Sequence, residues 1–297
     1  MKYLLLGGAG FIGTHLAQRL IKEGHDVTII DSLVTSHAPK YSVNFIQADI
    51  RLLDNLESYI ESADTIYFLA GSVGVAHIDQ HPTETLENNL GLMNRLIPLF
   101  EKHQKPVIFS STSEVYGEGP FSEDNNLSIG PPTKLRWAYA CAKLMTEFSI
   151  AASTFPYVIF RFFNVVGPGQ LGDYGMVLPR FINAAKNNED LVVYGTGQQV
   201  RSFCHVDDAV EYMRRLETTY GEIFNLGTGE PVTIMELAHK VKELSGSESR
   251  IVLVPYKEAF SNQHGDISKR VPILTKLKYF SGYMPVHDTE TIIKDML

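Results

Sequence analysis

This 297-residue chain is short of several things, and each shortage excludes something. It has two cysteines, Cys141 and Cys204. They are too few for a disulfide framework and point to a reducing compartment. Positive charge is in deficit, with 26 Lys+Arg against 34 Asp+Glu and a net charge of −8. That argues against a diffuse surface for nucleic acid or anionic membrane, while leaving room for a local basic pocket that holds a phosphate. Long apolar runs are missing. The run Met1–Leu6 meets Gly7-Gly8 at once and is too short to span a bilayer, and no small-residue cleavage site follows it. A cytoplasmic protein with no membrane contact is therefore expected. The ten histidines show no metal-ligand spacing, so no metal is expected either. What is present is ordinary globular composition, 44% hydrophobic and 20% charged, which excludes disorder, collagen-like repeats and coiled coil.

Short apolar, partly β-branched runs recur through the first half: Tyr3–Leu6, Asp26–Ile30, Val43–Ile46, Thr65–Leu69, Val107–Ser111 and Tyr157–Phe163. Amphipathic stretches lie between several of them, among them Gly13–Glu23, Pro82–His103 and Ala138–Ser153. Strand alternating with helix predicts βαβ units and a parallel sheet covered on both faces. After Val165 the pattern changes. Gly167-Pro168-Gly169 and Gly172–Gly175 read as loop, and Leu178–Asn187 as helix. Gly221–Leu226 reads as one more buried strand, followed from Val232 by a helix, a strand at Ile251–Val254 and a terminal helix. The division expected is a main domain over residues 1–165, joined by a returning strand near 221–227, and a smaller lobe drawn mainly from 166–297.

The first strand runs directly into Gly7-Gly8-Ala9-Gly10-Phe11-Ile12-Gly13, which opens the first helix. Glycines at this turn set backbone N–H groups and a helix N-terminus against a pyrophosphate with no β-carbon in the way. The second strand ends at Asp31, a carboxylate placed to accept both ribose hydroxyls of an adenosine. It would repel a 2′-phosphate, and Ser32-Leu33 offers no arginine to bind one, so NAD is favoured over NADP. Asp49-Ile50 follows the third strand and is a candidate adenine contact, although a turn aspartate explains it equally well.

The fifth strand leads into Ser110-Ser111-Thr112-Ser113-Glu114-Val115-Tyr116-Gly117, and Arg136-Trp137-Ala138-Tyr139-Ala140-Cys141-Ala142-Lys143 follows later. Tyr139 and Lys143 share a helix face. An ammonium beside a phenol favours the phenolate and brings the tyrosine toward the range of a general base. Thr112, from another strand end, supplies a hydroxyl for the same substrate oxygen.

With these marks in place, the chain resembles the extended short-chain dehydrogenase/reductases, in particular the NAD-dependent nucleotide-sugar epimerases and dehydratases. The resemblance covers nearly the whole chain. It is also carried by Arg161-Phe162-Phe163-Asn164-Val165-Val166-Gly167-Pro168 and Arg201-Ser202-Phe203-Cys204-His205-Val206-Asp207-Asp208. It implies an α/β fold of Rossmann type, a doubly wound parallel sheet with a smaller C-terminal substrate-binding lobe. The family's catalytic roles fall on Thr112, Tyr139 and Lys143. The cofactor set becomes Gly7, Gly10, Phe11, Ile12, Gly13, Asp31, Asp49, Ile50, Leu69, Ala70 and Gly71, with Tyr139 and Lys143. A nucleotide-sugar substrate, most simply a UDP-sugar, falls to Asn164 and Arg201 at the diphosphate, Arg270 as a second phosphate partner, and Tyr194 near the nucleobase. Two departures stand out: Phe68-Leu69-Ala70-Gly71 replaces a more usual His-Leu-Ala-Ala, and Ile273-Leu274 stands where an aspartate often follows the proline.

Glu114 bears on the reaction type. A simple C4 epimerase needs oxidation, rotation of the keto-sugar and return of the hydride. Dehydratases of the family usually carry Asp-Glu after the threonine, but here the first position is Ser113. Thr-Ser-Glu resembles sugar-acid decarboxylases and several epimerases. Oxidation at C4 acidifies the C5 hydrogen, so Glu114 is a candidate acid/base there. No arginine stands out in the sequence for a substrate carboxylate, so epimerase/dehydratase chemistry is favoured over a decarboxylase or a simple C4 epimerase. A catalytically silent NAD-binding sensor is the reading from another class, against which the intact trio speaks. The resemblance also implies a homodimer through Pro82–His103 and Ala138–Ser153, with Ala138, Ala142, Met145 and Ile150 as candidate contacts.

Overall fold

Seven parallel strands form one sheet in the computed structural model, which describes residues 1–72, 81–134, 137–171, 176–255, 258 and 267–297. The first half runs β1 (Lys2–Leu6), α1 (Phe11–Lys22), β2 (Asp26–Asp31), β3 (Asn44–Gln47), α2 (Leu56–Ser62), β4 (Thr65–Phe68), α3 (Pro82–His103), β5 (Val107–Thr112), α4 (Trp137–Ala151) and β6 (Tyr157–Phe162). A single 3-10 turn, Ser113–Tyr116, leaves β5. The second half adds β7 (Val165–Val166), α5 (Val177–Lys186), β8 (Leu191–Tyr194), β9 (Val200–Arg201), β10 (Cys204–His205), α6 (Val206–Leu216) and β11 (Glu222–Leu226). It closes with β12 (Val232–Thr233), α7 (Ile234–Ser245), β13 (Ile251–Val254), β14 (Lys269–Arg270), α8 (Thr275–Ser281) and α9 (Thr289–Met296).

The strand order is β3-β2-β1-β4-β5-β6-β11. The direction of winding reverses between β1 and β4, which opens a crevice at the carboxyl ends of the strands. Side chains of β1 show why both faces are covered. Tyr3 and Leu5 pack with Leu16 and Leu20 of α1, Val210 and Met213 of α6, and Leu277 of α8. Leu4 and Leu6 point the other way, among Leu56 and Ile60 of α2, Leu96 and Phe100 of α3, and Ile150 of α4. The two-residue period of the strand thus feeds two separate cores.

The returning strand is present as β11, paired with β6 from Glu222↔Val158 to Leu226↔Phe162. More than that strand returns. α6 and α8 also pack on the main sheet, because Val206, Ala209, Leu216, Leu274 and Leu277 complete the α1-side core. A third core, with Leu178, Phe181, Val193, Leu237, Val241 and Ile292, gathers α5, β8, α7 and α9. Short pairings, β13 with β8 and β14 with β9 with β12, frame it. The expected loop at Gly172–Gly175 and Arg136 lie outside the described residues.

One expectation about α4 needs correction. Ala142 and Ile150 are fully buried within the chain, so they are not available to a second subunit. The exposed apolar residues of that helix are Met145, at 50%, and Phe148, at 67%. On a helix, residues three apart share a face, and that face points away from the sheet.

Candidate active site

A cleft of about 950 Å³ follows the carboxyl ends of the strands and reaches into the second lobe. At one end lies the glycine turn. Gly7 has φ +82°, and a β-carbon there would come within 2.5 Å of the Ala70 backbone. A β-carbon on Gly13 would meet the Gly8 carbonyl oxygen at 2.6 Å, so close packing of α1 on the turn requires glycine. Gly10 caps α1 with no side-chain bond, and the first turn carries no acidic residue. The helix N-terminus is therefore presented to the cleft as an anion site.

Asp31 sits at the tip of β2, 8% exposed. Its Oδ2 accepts the Ala9 N–H at 3.0 Å, while Oδ1 accepts the Leu33 N–H at 2.9 Å and the Ser36 hydroxyl at 3.0 Å. The carboxylate is thereby fixed in orientation with lone-pair capacity left toward the cleft. Phe11, Ile12, Leu69, Ala70, Gly71, Asp49 and Ile50 line the same wall. Asp49 is engaged by Arg51, whose guanidinium beside it holds the carboxyl below the usual range.

Thr112, Glu114, Tyr139 and Lys143 meet where β5 and α4 converge on the cleft. Thr112 ends β5, and its hydroxyl caps the following turn by accepting the Glu114 N–H at 3.3 Å. Against the expectation that Lys143 draws the Tyr139 phenol down, in the fold the phenol is pushed up by burial, with the Glu114 charge adding to it. The groups that work the other way are the Thr112 hydroxyl and the Arg270 charge. Lys143 is 3% exposed, donates to the Ser110 carbonyl at 2.9 Å and lies over the Phe109 ring. Burial brings its ammonium down to about 8, with the Glu147 charge opposing. Gly71 now has a steric reason: a β-carbon there would fall 2.7 Å from Asn89 Oδ1 and 3.1 Å from Lys143 Nζ.

The remaining predicted residues lie toward the second lobe. Arg270 donates through Nη1 to Glu114 and through Nη2 to Asn164 Oδ1 at 2.7 Å. Asn164, at φ +36°, also donates to the Ser202 carbonyl at 2.9 Å. Arg201 is 8% exposed, and its Nη1 donates to the Val200 and Ile267 carbonyls. Tyr194 lines the far end, with the Arg180 guanidinium 4.2 Å from its ring centroid. Arg270, expected as a phosphate partner, lines the cleft with its guanidinium on Glu114 and Asn164.

A model of the NAD dependent epimerase/dehydratase family matches residues 3–227. The chain belongs to that family. A UDP-N-acetyl-alpha-D-glucosaminuronate decarboxylase of Bacillus cytotoxicus is 37% identical to it over 99% of this chain and 96% of the relative. Among solved structures, a UDP-glucose 4-epimerase of Thermotoga maritima aligns with TM-score 0.87 at 27% identity, over 99% of this chain and 96% of the other. A UDP-glucuronic acid 4-epimerase of Bacillus cereus, solved with UDP-glucuronic acid and NAD, aligns with TM-score 0.86 at 25% identity, over 99% and 97%. The protein is an NAD-dependent enzyme of this family, and the crowded glycine turn, open helix N-terminus and fixed Asp31 suit that cofactor.

Several residues of the cleft escape sequence reasoning. Ser36 and Arg51 act by holding Asp31 and Asp49, and Arg180 by stacking on Tyr194. Their only sequence signal is polarity near a recognised motif, which many surface residues share.

Proposed function

We propose that the protein acts on a UDP-uronic acid, oxidises its C4 hydroxyl to a ketone, and releases the C6 carboxylate as CO2. The observation that carries this reading is Arg270, held between Glu114 and Asn164 beside Tyr139. A buried-edge guanidinium next to the catalytic hydroxyls is suited to a carboxylate on C5, because its planar fork binds paired oxygens. The name of the relative at 37% identity supports the same direction. This moves the weight away from the epimerase/dehydratase emphasis that the sequence supports, toward the decarboxylase alternative.

NAD, when bound, supplies reversible two-electron oxidation at C4. Tyr139 takes the proton of the C4 hydroxyl, and Thr112 hydrogen-bonds the same oxygen. The 4-keto uronate is a β-keto acid. Its C5–C6 bond breaks, the electron pair enters the C4–C5 enolate, and a proton delivered at C5 leaves a 4-keto pentose for reduction at C4. Glu114 is the proton carrier for C5, since Arg270 can be drawn from it by the incoming substrate carboxylate. Lys143 orients the cofactor ribose, and Arg201 faces the diphosphate. Tyr194, with Arg180 on its ring, receives the nucleobase.

A second reading, C4 epimerisation of the same acid, is favoured by the likeness to the Bacillus cereus 4-epimerase. One experiment separates the two. NAD-loaded enzyme is given UDP-glucuronate and its N-acetylated analogue in deuterated water, and products are read by mass and proton NMR. Decarboxylation yields CO2 and one carbon-bound deuteron at C5; an isomer with no deuterium overturns the proposal in favour of epimerisation. Glu114→Gln stops the reaction at a 4-keto sugar, and full turnover by that variant removes Glu114 from the chemistry.

The same proposal includes two lobes, residues 1–165 with the returning segment around 221–227 for the cofactor and mainly 166–297 for the substrate. It includes a homodimer through α3 and α4, supported by the exposed Met145 and Phe148. A reducing cytoplasmic setting is supported by Cys141 and Cys204, both free. Among the described residues no helix is long and apolar enough to cross a membrane.

A further inference from the structure

Where α9 meets β10 and α6, a group of side chains gathers for which the chemistry above has no use. His205 ends β10 and caps α6, its Nδ1 accepting the Asp207 N–H at 3.1 Å. The ring is 2% exposed, and its other nitrogen, Nε2, is buried with no hydrogen-bond partner among the described residues. The His287 ring lies stacked on it, with centroids 4.1 Å apart. Asp295, on α9, brings Oδ2 to 3.7 Å from His205 Nε2, too far for a hydrogen bond. One donor atom from each of His205, His287 and Asp295 lies within 4.8 Å of the other two. None of the three lines the cleft. They come from segments far apart in the chain, so histidine spacing carries no sign of them.

The helix cap needs Nδ1 alone and leaves Nε2 unexplained. A buried polar atom without a partner is a cost that native proteins seldom leave standing, and a bound water or ion is one usual remedy. We propose that His205, His287 and Asp295 form a binding site for a divalent cation of the zinc type, outside the active site. Two donors held by one such ion at about 2.1 Å stand about 3–4 Å apart, the spacing of His205 Nε2 and Asp295 Oδ2. Two imidazoles and one carboxylate suit zinc or a neighbouring first-row ion, whereas magnesium and calcium call for oxygen ligands. His287 also has the support that a metal-binding histidine needs. Its Nδ1–H donates to Asp208 Oδ2 at 2.9 Å, which leaves the lone pair on Nε2. Asp208 is fully buried and held in turn by the Tyr283 hydroxyl at 2.5 Å and the Val286 N–H at 3.0 Å. Closing on an ion tips the His287 ring, 21% exposed, off the stack about its bond to Asp208. It also moves the His205 proton from Nε2 to Nδ1, where the Asp207 carboxylate, 3.9 Å away, replaces the Asp207 N–H as partner.

The test is zinc binding to the full chain, loaded with NAD and cleared of metal by a chelator, read by calorimetry and by thermal unfolding. The parent should take up one zinc ion per chain, gain a few degrees in Tm from it, and give neither response to magnesium. Loss of an outer partner of a metal-bound histidine weakens binding about 10–100-fold, and loss of a ligand costs at least as much. Asp295→Asn and His287→Gln should therefore each weaken zinc about tenfold or more and remove the gain in Tm. Asp295 is 44% exposed, so its variant keeps the fold and carries the test alone should His287→Gln fail to fold. A parent that takes up no zinc overturns the proposal. So does zinc uptake that a folded variant leaves unchanged, which would put the ion on surface pairs such as His103 with Glu57.

Discussion

Replacing Lys143 by methionine should make the ligand-free protein more stable while disabling it. The ammonium is 3% exposed, and burial brings it from the ordinary lysine value of 10.5 to about 8. The unfolded chain therefore binds a proton that the folded chain has lost between those two values. Stability rises with pH across that window, and the full penalty is present below it. The displacement corresponds to about 3 kcal/mol of destabilisation at neutral pH. Against it stands the bond from Nζ to the Ser110 carbonyl, worth about 1 kcal/mol, and a modest cation–π contact with Phe109. A methionine fills the same volume and keeps a favourable contact with the ring. Lys143→Met is thus expected to gain about 1–2 kcal/mol at pH 7, a rise of a few degrees in Tm. Urea unfolding of both proteins across the pH range checks this. The gain should shrink as pH rises from about 8 toward 10.5 and then reverse, since the neutral amine keeps its hydrogen bond without the burial cost. Added NAD should stabilise the parent more than the variant. A variant less stable than the parent at pH 7, or a difference that does not change across the window, would refute the reasoning.

Two further outcomes follow from the geometry. Asp31→Ala should narrow the preference for NAD over NADP by removing repulsion of a 2′-phosphate, measured as the ratio of dissociation constants; because the Ala9 N–H then loses its acceptor, unfolding should also cost about 1–3 kcal/mol less. Phe148→Asp, at a 67% exposed position on α4, should convert a dimer into a monomer with little change in unfolding free energy, and light scattering at micromolar concentration that finds the parent already monomeric would remove the dimer.

Strands and helices of the main sheet were legible because local patterns set them. The pattern predicts a strand at Val43–Ile46 and the fold has Asn44–Gln47; it predicts a helix at Ala138–Ser153 and the fold has Trp137–Ala151. Pairings of two residues, such as β7 with β10 and β14 with β9, leave no periodicity to read. They exist because loops of the second lobe run side by side there. α2, only Leu56–Ser62, is short enough for its two buried residues to resemble any apolar pair. Two of the four dimer contacts expected on α4, Ala142 and Ile150, are unavailable for a related reason. Small and apolar side chains on a helix show that some face is covered, but not whether the sheet or a second chain covers it. Ala142 and Ile150 face the protein's own interior, while Met145 and Phe148 do not.

The site divides along the same line. Gly7, Gly10, Gly13, Asp31, Tyr139 and Lys143 are placed by neighbours close in sequence or by a turn whose geometry glycine dictates, so their types and spacing are enough to bring them to one cleft. Arg270 is different, because what it does depends on Glu114, 156 positions away, and on Asn164, 106 away. Arg161 read alone is a cation in an apolar strand, an apparent fault that Glu147 resolves only once α4 lies across β5 and β6. The Arg270 contacts are set by the approach of a distant segment, and the Arg161 contact by the packing of α4 on the sheet. In the proposed reaction, oxidation at C4 calls on the local set alone. What the 4-keto sugar then does depends on which charges stand around C5 and C6, and those arrive from distant segments. The proposed decarboxylation therefore rests on a contact that no local pattern announces, Arg270 reaching the glutamate beyond the end of β5.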